Sequence, residues 1–343
     1  MYGQSVKDLI FAEGNTVPID KFMSEALYRE GVGYYMTQMP FGQDGDFITS
    51  SDISQLFGET VAVWLLQYLE MMNIAEKFVL LELGPGRGTL MCDILRVMRR
   101  FPQYDRLLEV HLVEISPVLQ TAQRDTLKEA MQHREVFWHN SIADVPDMPV
   151  LVIANEFFDA LPIKQFVFKG GTWCERKVCS KPEGLSVIDV VTSHLVEEHG
   201  VPEGGIVETC QAATAILTHI EGMMLRNGGA CLIVDYGYLQ PIYKSTIQAV
   251  KDHQYCSFLE HVGQCDISAC VNFGALQKAL KQVMCTVMTQ REFLYRYGIR
   301  ERLDVLLRNA SAKQASDLRS GFLRLTENMG TLFKVLLMHS TKS

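Results

Sequence analysis

Residues 81–90, Leu-Glu-Leu-Gly-Pro-Gly-Arg-Gly-Thr-Leu, place glycines at 84, 86 and 88 directly after the apolar run Phe78–Leu83. Three glycines at alternate positions let a chain leave a strand, turn sharply and pass beneath a ligand with no Cβ in the way. A dinucleotide turn wants its third glycine at the sixth position of G-x-G-x-x-G, so that a pyrophosphate sits on the helix N-terminus. Here that position is Thr89. The turn therefore takes the form E-x-G-x-G-x-G, opened by Glu82, which suits a ligand needing close backbone approach more than a phosphate cradle.

The rest of the chain supplies a fold for this turn. Short apolar runs at 78–83, 108–115, 135–140, 150–157 and 230–237 alternate with helical stretches. Strands apolar on both faces and separated by helices imply a parallel sheet covered on both sides, a doubly wound α/β fold. About 70 residues between the fourth and fifth runs break the rhythm. They contain FVFKGGTWCERKVC and LSVIDVVTSH, which read as antiparallel strands joined at Gly170-Gly171 in an insert beside the sheet. The runs at 283–289 and 331–340 read as edge strands, residues 17–31 as a helix ended by Gly31, and Asp52 to Leu69 as a second helix.

In such a sheet, ligands lie beyond the strand C-termini. Glu114 ends the second strand, where an acidic side chain can accept from both hydroxyls of a ribose, although Ser116-Pro117 beside it reads as a helix start. Asn140, Ser141 and Ile142 follow the third strand at the edge an adenine would use. The fourth strand ends in N-E-F-F-D-A-L-P, residues 155–162, which puts Asn155, Glu156 and Asp159 at the reactive end. Two carboxylates in one cleft are costly to keep ionised unless a cation or several donors join them. A guanidinium, with its forked donors, meets that need; capping of a following helix by Asn155 and Asp159 is the plainer alternative.

Composition narrows the function. With 32 basic against 40 acidic residues and a formal charge of −8, a nucleic-acid partner is disfavoured. Nine scattered cysteines include no C-x-x-C pair, which suits buried thiols in a reducing compartment rather than a disulfide framework or a metal site. No apolar stretch approaches the roughly 18 residues of a bilayer span, so no stable membrane insertion is expected. The N-terminus has neither signal-peptide nor transit-peptide character, so the expected location is the cytoplasm, or the mitochondrial matrix for a form whose presequence is missing.

The E-x-G-x-G-x-G turn is the form found in class I S-adenosylmethionine methyltransferases. Together, GDFITSxxISQxFGE (45–59), LLELGPGRGTLMCDILR (80–96), HLVEIS (111–116), ANEFFDALP (154–162) and GGACLIVDYG (228–237) resemble the MidA-like S-adenosylmethionine-dependent methyltransferases, from roughly Tyr34 to the C-terminus. The resemblance implies a Rossmann-like class I core of seven strands in the order 3-2-1-4-5-7-6. It implies an N-terminal helical lid region (1–77) and a cofactor-binding domain (78–343) with its insert at about 164–205. The cofactor would be S-adenosyl-L-methionine, leaving as S-adenosyl-L-homocysteine. The acceptor would be a protein arginine on the quinone-site core subunit of respiratory NADH dehydrogenase (complex I), methylated during assembly; a homodimer is compatible with this.

Residue by residue, the resemblance sets Glu82, Gly84, Gly86 and Gly88 at the methionine portion, Glu114 on the ribose and Ser141 at the adenine. It folds the Gly45–Ser50 loop over the site as a lid, with Asp46 and Thr49 as polar contacts. Glu156 is first choice for gripping the guanidinium, Asp159 second, with Asn155 beside them, His253 as a proton acceptor or else a satisfied loop histidine, and Asp235 and Asp266 as the next carboxylates. The stretch 252–276 departs from the family pattern H, P-G, D-L-T, V-D-F: it has Val262 in place of the proline, D-I-S, and V-N-F with Asn272, while His253, Gly263 and Asp266 remain. Substrate identity is thereby less constrained than cofactor identity. Two other functions fit the same residues: an assembly chaperone whose bound cofactor orders its lid, and a methyltransferase of another substrate, since N-E-F-F stands where nucleic-acid amino-methylases carry an N-P-P-Y-like motif. The missing prolines and acidic balance speak against a nucleic acid.

Overall fold

The computed structural model describes residues 6–39, 49–194, 196 and 198–340. Its central sheet, whose strands alone are numbered here, consists of β1 (Phe78–Leu83), β2 (Leu108–Val113), β3 (Val136–His139), β4 (Val150–Asn155), β5 (Gly229–Tyr238), β6 (Met284–Thr289) and β7 (Phe333–His339). They lie in the order β3-β2-β1-β4-β5-β7-β6, the class I arrangement, with Val271–Asn272 pairing alongside the end of β5. Strands β1 to β5 run parallel, and β7 runs antiparallel to both β5 and β6. The expectation of two edge strands at the C-terminus is half corrected: β6 is the edge, whereas β7 is interior. Val335, Leu336 and Met338 are buried, on both faces of the strand, which is what an interior position requires.

Helices cover both faces. Gln55–Met71 and Thr89–Met98 bury Phe57, Leu65, Met91 and Ile94 against Leu80, Val110 and Ile153. On the opposite face Gln211–Asn227 sets Leu217, Ile220 and Met224 against Leu81, Val152 and Ile233. The one helix expected from Asp52 to Leu69 is two, Ser50–Ile53 and Gln55–Met71. Ser54 is extended (φ −165°) and its hydroxyl accepts from Leu56 N, so the break is an N-cap that starts the second helix on a new axis. The expected 17–31 helix spans Ile19–Tyr28. Arg302 donates to both carboxylate oxygens of Glu59 (2.6 and 3.0 Å) and Arg96 donates to Glu59 and Asp93, tying Gln55–Met71 to two neighbouring helices.

Between β4 and β5 the strands Lys164–Lys169, Thr172–Lys181, Gly184–Val191 and Ile206–Thr209 build an antiparallel sheet, joined by the N-terminal strand Thr16–Pro18. Gly170 (φ +56°) and Gly171 (φ +76°) form its first hairpin turn, where two residues with positive φ match the strand twist. A third core of Phe22, Met23 and Leu27 with Val178 and Ile267 holds the N-terminal helix against this layer. That packing sets the helix across the C-terminal ends of β1, β2 and β4.

Candidate active site

The glycine turn leaves β1 with Gly84 at φ +59°, Gly86 at φ +53° and Gly88 at φ +81°, all in the left-handed region that side chains resist. A Cβ on Gly84 would stand 2.6 Å from the Phe157 ring, and Gly88 caps the helix Thr89–Met98. These requirements explain the glycines at 84 and 88 by backbone and packing, while Gly84 and Gly86 line a cleft of about 410 Å³. The cleft is walled by Glu114, Ile115, Asn140, Ser141, Glu156, Phe157, Tyr28 and Tyr35, among others. It lies at the strand ends where the sequence puts it.

Three carboxylates flank it on the cofactor side or at its junction with β4. Glu82 is almost wholly buried, its Oε2 has no hydrogen-bond partner, and burial pushes its carboxyl up to about 8. Glu114 accepts from Ser116 N (2.8 Å) and Gln123 Nε2 (3.1 Å), yet burial still raises it to about 7. Gln123 also donates to Gly86 O (2.9 Å) and accepts from Trp138 Nε1 (2.9 Å), so one side chain braces the glycine turn against Glu114. Glu156 takes φ +50°, a strained setting for a non-glycine residue, and its Oε1 accepts from Ser50 N (2.7 Å) and Asn155 Nδ2 (3.3 Å). Burial raises it to about 7. Asn155 Oδ1 remains without a partner. Glu82, Asn155, Glu156 and Thr49 share a small polar pocket beside the glycine turn. Unpartnered buried acceptors beside a bare backbone turn are what a ligand carrying an ammonium group needs.

No helix follows β4, so Asn155 and Asp159 cap nothing and the plainer alternative is removed. The turn 156–161 is instead held by Asp235 at the end of β5, whose Oδ2 accepts from Phe158 N (3.0 Å) and Asp159 N (3.2 Å) and whose Oδ1 accepts from Tyr236 N (2.9 Å). Burial and the neighbouring charges of Asp159 and Glu156 hold Asp235 well above the carboxylate range. Asp159 rises to about 7 through burial and the charge of Asp266, and its Oδ1 has no partner. Burial is the largest influence on Glu156, Asp159 and Asp235; the charge that most raises Asp159 is Asp266, the charges that most raise Asp235 are Asp159 and Glu156, and the bond from Ser50 N works against the rise of Glu156. Tyr35 donates to Asp266 Oδ1 (2.7 Å), Tyr28 to Ala160 O (2.8 Å) and Tyr236 to Ser268 Oγ (2.7 Å).

Of the residues singled out by sequence, Glu82, Gly84, Gly86, Glu114, Ser141, Asn155 and Glu156 line this cleft and its pocket, Gly88 stands at the head of the adjoining helix, and Asp159 lies behind them in the turn held by Asp235. Ser141 also caps the short turn Ile142–Asp144 through Ala143 N (3.2 Å). Thr49 bonds Ser51 and Asp52 and caps Ser50–Ile53, at the rim of the polar pocket. Asp46 lies outside the described residues. His253 is not brought to the group: with Asp252 (φ +50°) it forms the exposed turn of the hairpin Gln248–Cys256 at φ +60°. A polar residue there meets a two-residue turn's need for positive φ. Asn272 caps the helix Phe273–Ala279 through Ala275 N (2.9 Å), a local task that asparagine performs as well as aspartate. Sequence reasoning missed Tyr28, Tyr35, Ser50, Gln123 and Tyr236. No spacing signals them, because each reaches the site from a different element.

Comparison with known proteins gives this geometry a family. Residues 60–290 match the family model described as "Putative S-adenosyl-L-methionine-dependent methyltransferase". The chain is 34% identical to the mitochondrial protein arginine methyltransferase NDUFAF7 homolog of Drosophila melanogaster, over 94% of this chain and 81% of that one. It is 33% identical to the mitochondrial protein arginine methyltransferase NDUFAF7 of Danio rerio, over 95% of this chain and 84% of that one. A crystal structure from Burkholderia thailandensis bound to S-adenosyl-homocysteine shares the fold, with a TM-score of 0.83 and 24% identity over 96% of this chain and 89% of that one. A cleft walled by a bare glycine turn and buried acceptors, on a seven-stranded sheet in this order, thus has its relatives: the chain belongs to the S-adenosyl-L-methionine-dependent methyltransferase family.

Proposed function

We propose that this methyltransferase acts on the guanidinium of a protein arginine, on the quinone-site core subunit of a respiratory NADH dehydrogenase, within mitochondria. The relatives' names state protein arginine methylation and a mitochondrial location for those proteins, and among the described residues no helix is long and apolar enough to cross a membrane. The observation that carries the reading is the set of buried carboxylates at the ends of β4 and β5, raised by burial and by one another, with unpartnered oxygen on Asp159. Such a set is stable when ionised only if a cation enters it.

When bound, S-adenosyl-L-methionine supplies a methyl group on a sulfonium, open to in-line displacement. Glu82 and Asn155 offer acceptors to its ammonium, Glu114 to its ribose hydroxyls, Ser141 lies at its adenine, and Gly84 and Gly86 leave room for its methionine portion. Glu156 and Asp159 accept N–H bonds from two guanidinium nitrogens, orient the third to about 3 to 3.5 Å from the methyl carbon and stabilise the charge. Asp159, already raised, would take the proton from the guanidinium nitrogen it grips, so that the methylated guanidinium keeps a single positive charge. The division into an N-terminal lid region (1–77) and a domain (78–343) carrying the insert at about 164–205 belongs to the same proposal. It is supported by Ser50 bonding Glu156 and by Tyr28 and Tyr35 walling the cleft.

The test is transfer of labelled methyl from S-adenosyl-L-methionine to lysate of a strain lacking the protein, with the labelled residue identified by mass spectrometry. Label on a protein arginine is expected. Label on lysine, nucleic acid or a metabolite overturns the reading, and absence of label favours a chaperone that binds the cofactor without turnover.

A further inference from the structure

Tyr35 touches both halves of the site. Its carbonyl accepts from Ser116 Oγ (2.6 Å), and the Ser116 N–H bonds Glu114 Oε1 (2.8 Å), the carboxylate on the cofactor side. Its hydroxyl donates to Asp266 Oδ1 (2.7 Å), and the segment that carries Asp266 is tied to the 156–161 turn, where Asp159 O accepts from Ala269 N (2.9 Å). Its ring stacks on Tyr28 at 5.6 Å with the planes 13° apart, and Tyr28 is fixed in turn to Ala160 O (2.8 Å). A continuous set of short hydrogen bonds therefore runs from Glu114 through Ser116 and Tyr35 to Asp266. Asp266 comes from an element remote in sequence, at the start of the strand Asp266–Ser268, and is buried.

We propose that Tyr35 is a positioning residue that fixes Asp266 as a third carboxylate for the acceptor guanidinium, in register with the cofactor-side anchor at Glu114. This deepens the arginine reading and rests on it. Glu156 and Asp159 approach a guanidinium from the end of β4, and a planar cation with five donors has edges left for a further acceptor. Asp266, held by the phenol against rotation, supplies that acceptor at a set distance from the cofactor side. Free rotation of the carboxylate would leave its charge in place and lose its direction, which is what bidentate recognition depends on.

The test uses ethylguanidinium chloride as the probe, titrated calorimetrically into the full chain saturated with S-adenosyl-L-homocysteine. Wild type, Tyr35→Phe, Asp266→Asn and the double variant are compared. Tyr35→Phe is expected to weaken ethylguanidinium binding about tenfold, the scale of one hydrogen bond to a charged group, and Asp266→Asn at least as much. The double variant should be no weaker than Asp266→Asn alone within about twofold, because Tyr35 acts through Asp266. Cooperative melting near the wild-type temperature reports that the variants are folded, and any loss of affinity for S-adenosyl-L-homocysteine should be smaller than the loss for ethylguanidinium. Losses that multiply, or a Tyr35→Phe loss confined to S-adenosyl-L-homocysteine, overturn the role of Tyr35 while leaving the arginine reading intact. A wild type that binds no ethylguanidinium overturns the arginine reading and this proposal with it. If Tyr35→Phe does not fold, full ethylguanidinium affinity in Asp266→Asn is sufficient to reject the proposal.

Discussion

The cofactor side and the acceptor side of this cleft are both built on buried carboxylates, and they treat them differently. At the end of β2, Glu114 is surrounded by donors from its own neighbourhood: Ser116 N two residues on, Gln123 Nε2 nine residues on. At the ends of β4 and β5, Asp235 gives Oδ2 to the backbone of the 156–161 turn and Oδ1 to Tyr236 N, and Asp159 keeps one oxygen unpartnered. There the dominant neighbours are other acids. In the proposed reading, Glu114 is held by donors ready for a neutral diol, whereas Glu82 Oε2 beside the glycine turn and Asp159 Oδ1 on the other side wait for a cation.

The sharpest way to break this division is to remove one side and ask whether the other survives. Gly86→Val puts a branched side chain at φ +53° in the lining of the cleft. Cofactor binding should be abolished in a protein that still melts cooperatively. Calorimetry with unchanged affinity in the folded variant contradicts the placement of the cofactor. On the other side, Glu156→Gln keeps shape and most cofactor affinity but should lower methyl transfer by about 10² or more, since an oriented charge is lost. Turnover and binding then separate. If both fall together, Glu156 supports the pocket through its bonds to Ser50 and Asn155 rather than gripping the acceptor.

That division also decides what the sequence could reveal. The proposed cofactor residues lie within one stretch, Glu82 to Ser141, where strand ends, glycines and a helix start fall at readable intervals, so spacing and the family resemblance could both point to them. A parallel, doubly wound sheet was legible because five apolar runs alternate with helices; the order of its strands came from the family resemblance, and the interior place of β7 follows only from its burial on both faces. The proposed acceptor side was named in part, through Asp159, Asp235 and Asp266, but the tyrosines Tyr28 and Tyr35 that join them were not, because they arrive only when the N-terminal helix packs on the insert layer and the hairpin strand Asp266–Ser268 folds back. No local pattern encodes such a meeting. Of the two readings of His253, the loop histidine holds: a two-residue hairpin turn carries it into solvent.

Glu114→Ala tests the donor-rich side more gently. Loss of a charged acceptor for two hydroxyls should cost about 1 to 3 kcal/mol of cofactor binding, smaller than the effect of Gly86→Val because the glycine turn remains. Calorimetry should place that loss wholly in cofactor affinity, with affinity for ethylguanidinium unchanged in protein saturated with S-adenosyl-L-homocysteine. A matching loss on the acceptor side would mean that the two sets of carboxylates are one unit.

The smallest effect is one of pH, and it follows from the sign of the shifts. Glu82 is raised to about 8, and Glu114, Glu156 and Asp159 to about 7, so the ligand-free folded chain holds protons that the unfolded chain has already released. For an acid whose folded value lies above its unfolded one, stability falls as pH rises between the two values. His111 works in the other direction: burial lowers it to about 4, so it contributes stability that grows up to about pH 6.5 and is complete above it. Between about pH 6.5 and 8 the raised carboxylates are therefore the groups that set the slope, and the ligand-free protein should lose roughly 2 to 4 °C of melting temperature across that interval. Saturating S-adenosyl-L-methionine, whose ammonium gives Glu82 and Asn155 a donor, should flatten the slope, and Glu82→Gln should flatten it without ligand. A melting temperature that rises from pH 6.5 to 8 in the ligand-free protein would show that these carboxylates are already matched by donors, and the contrast between the two sides of the cleft would disappear.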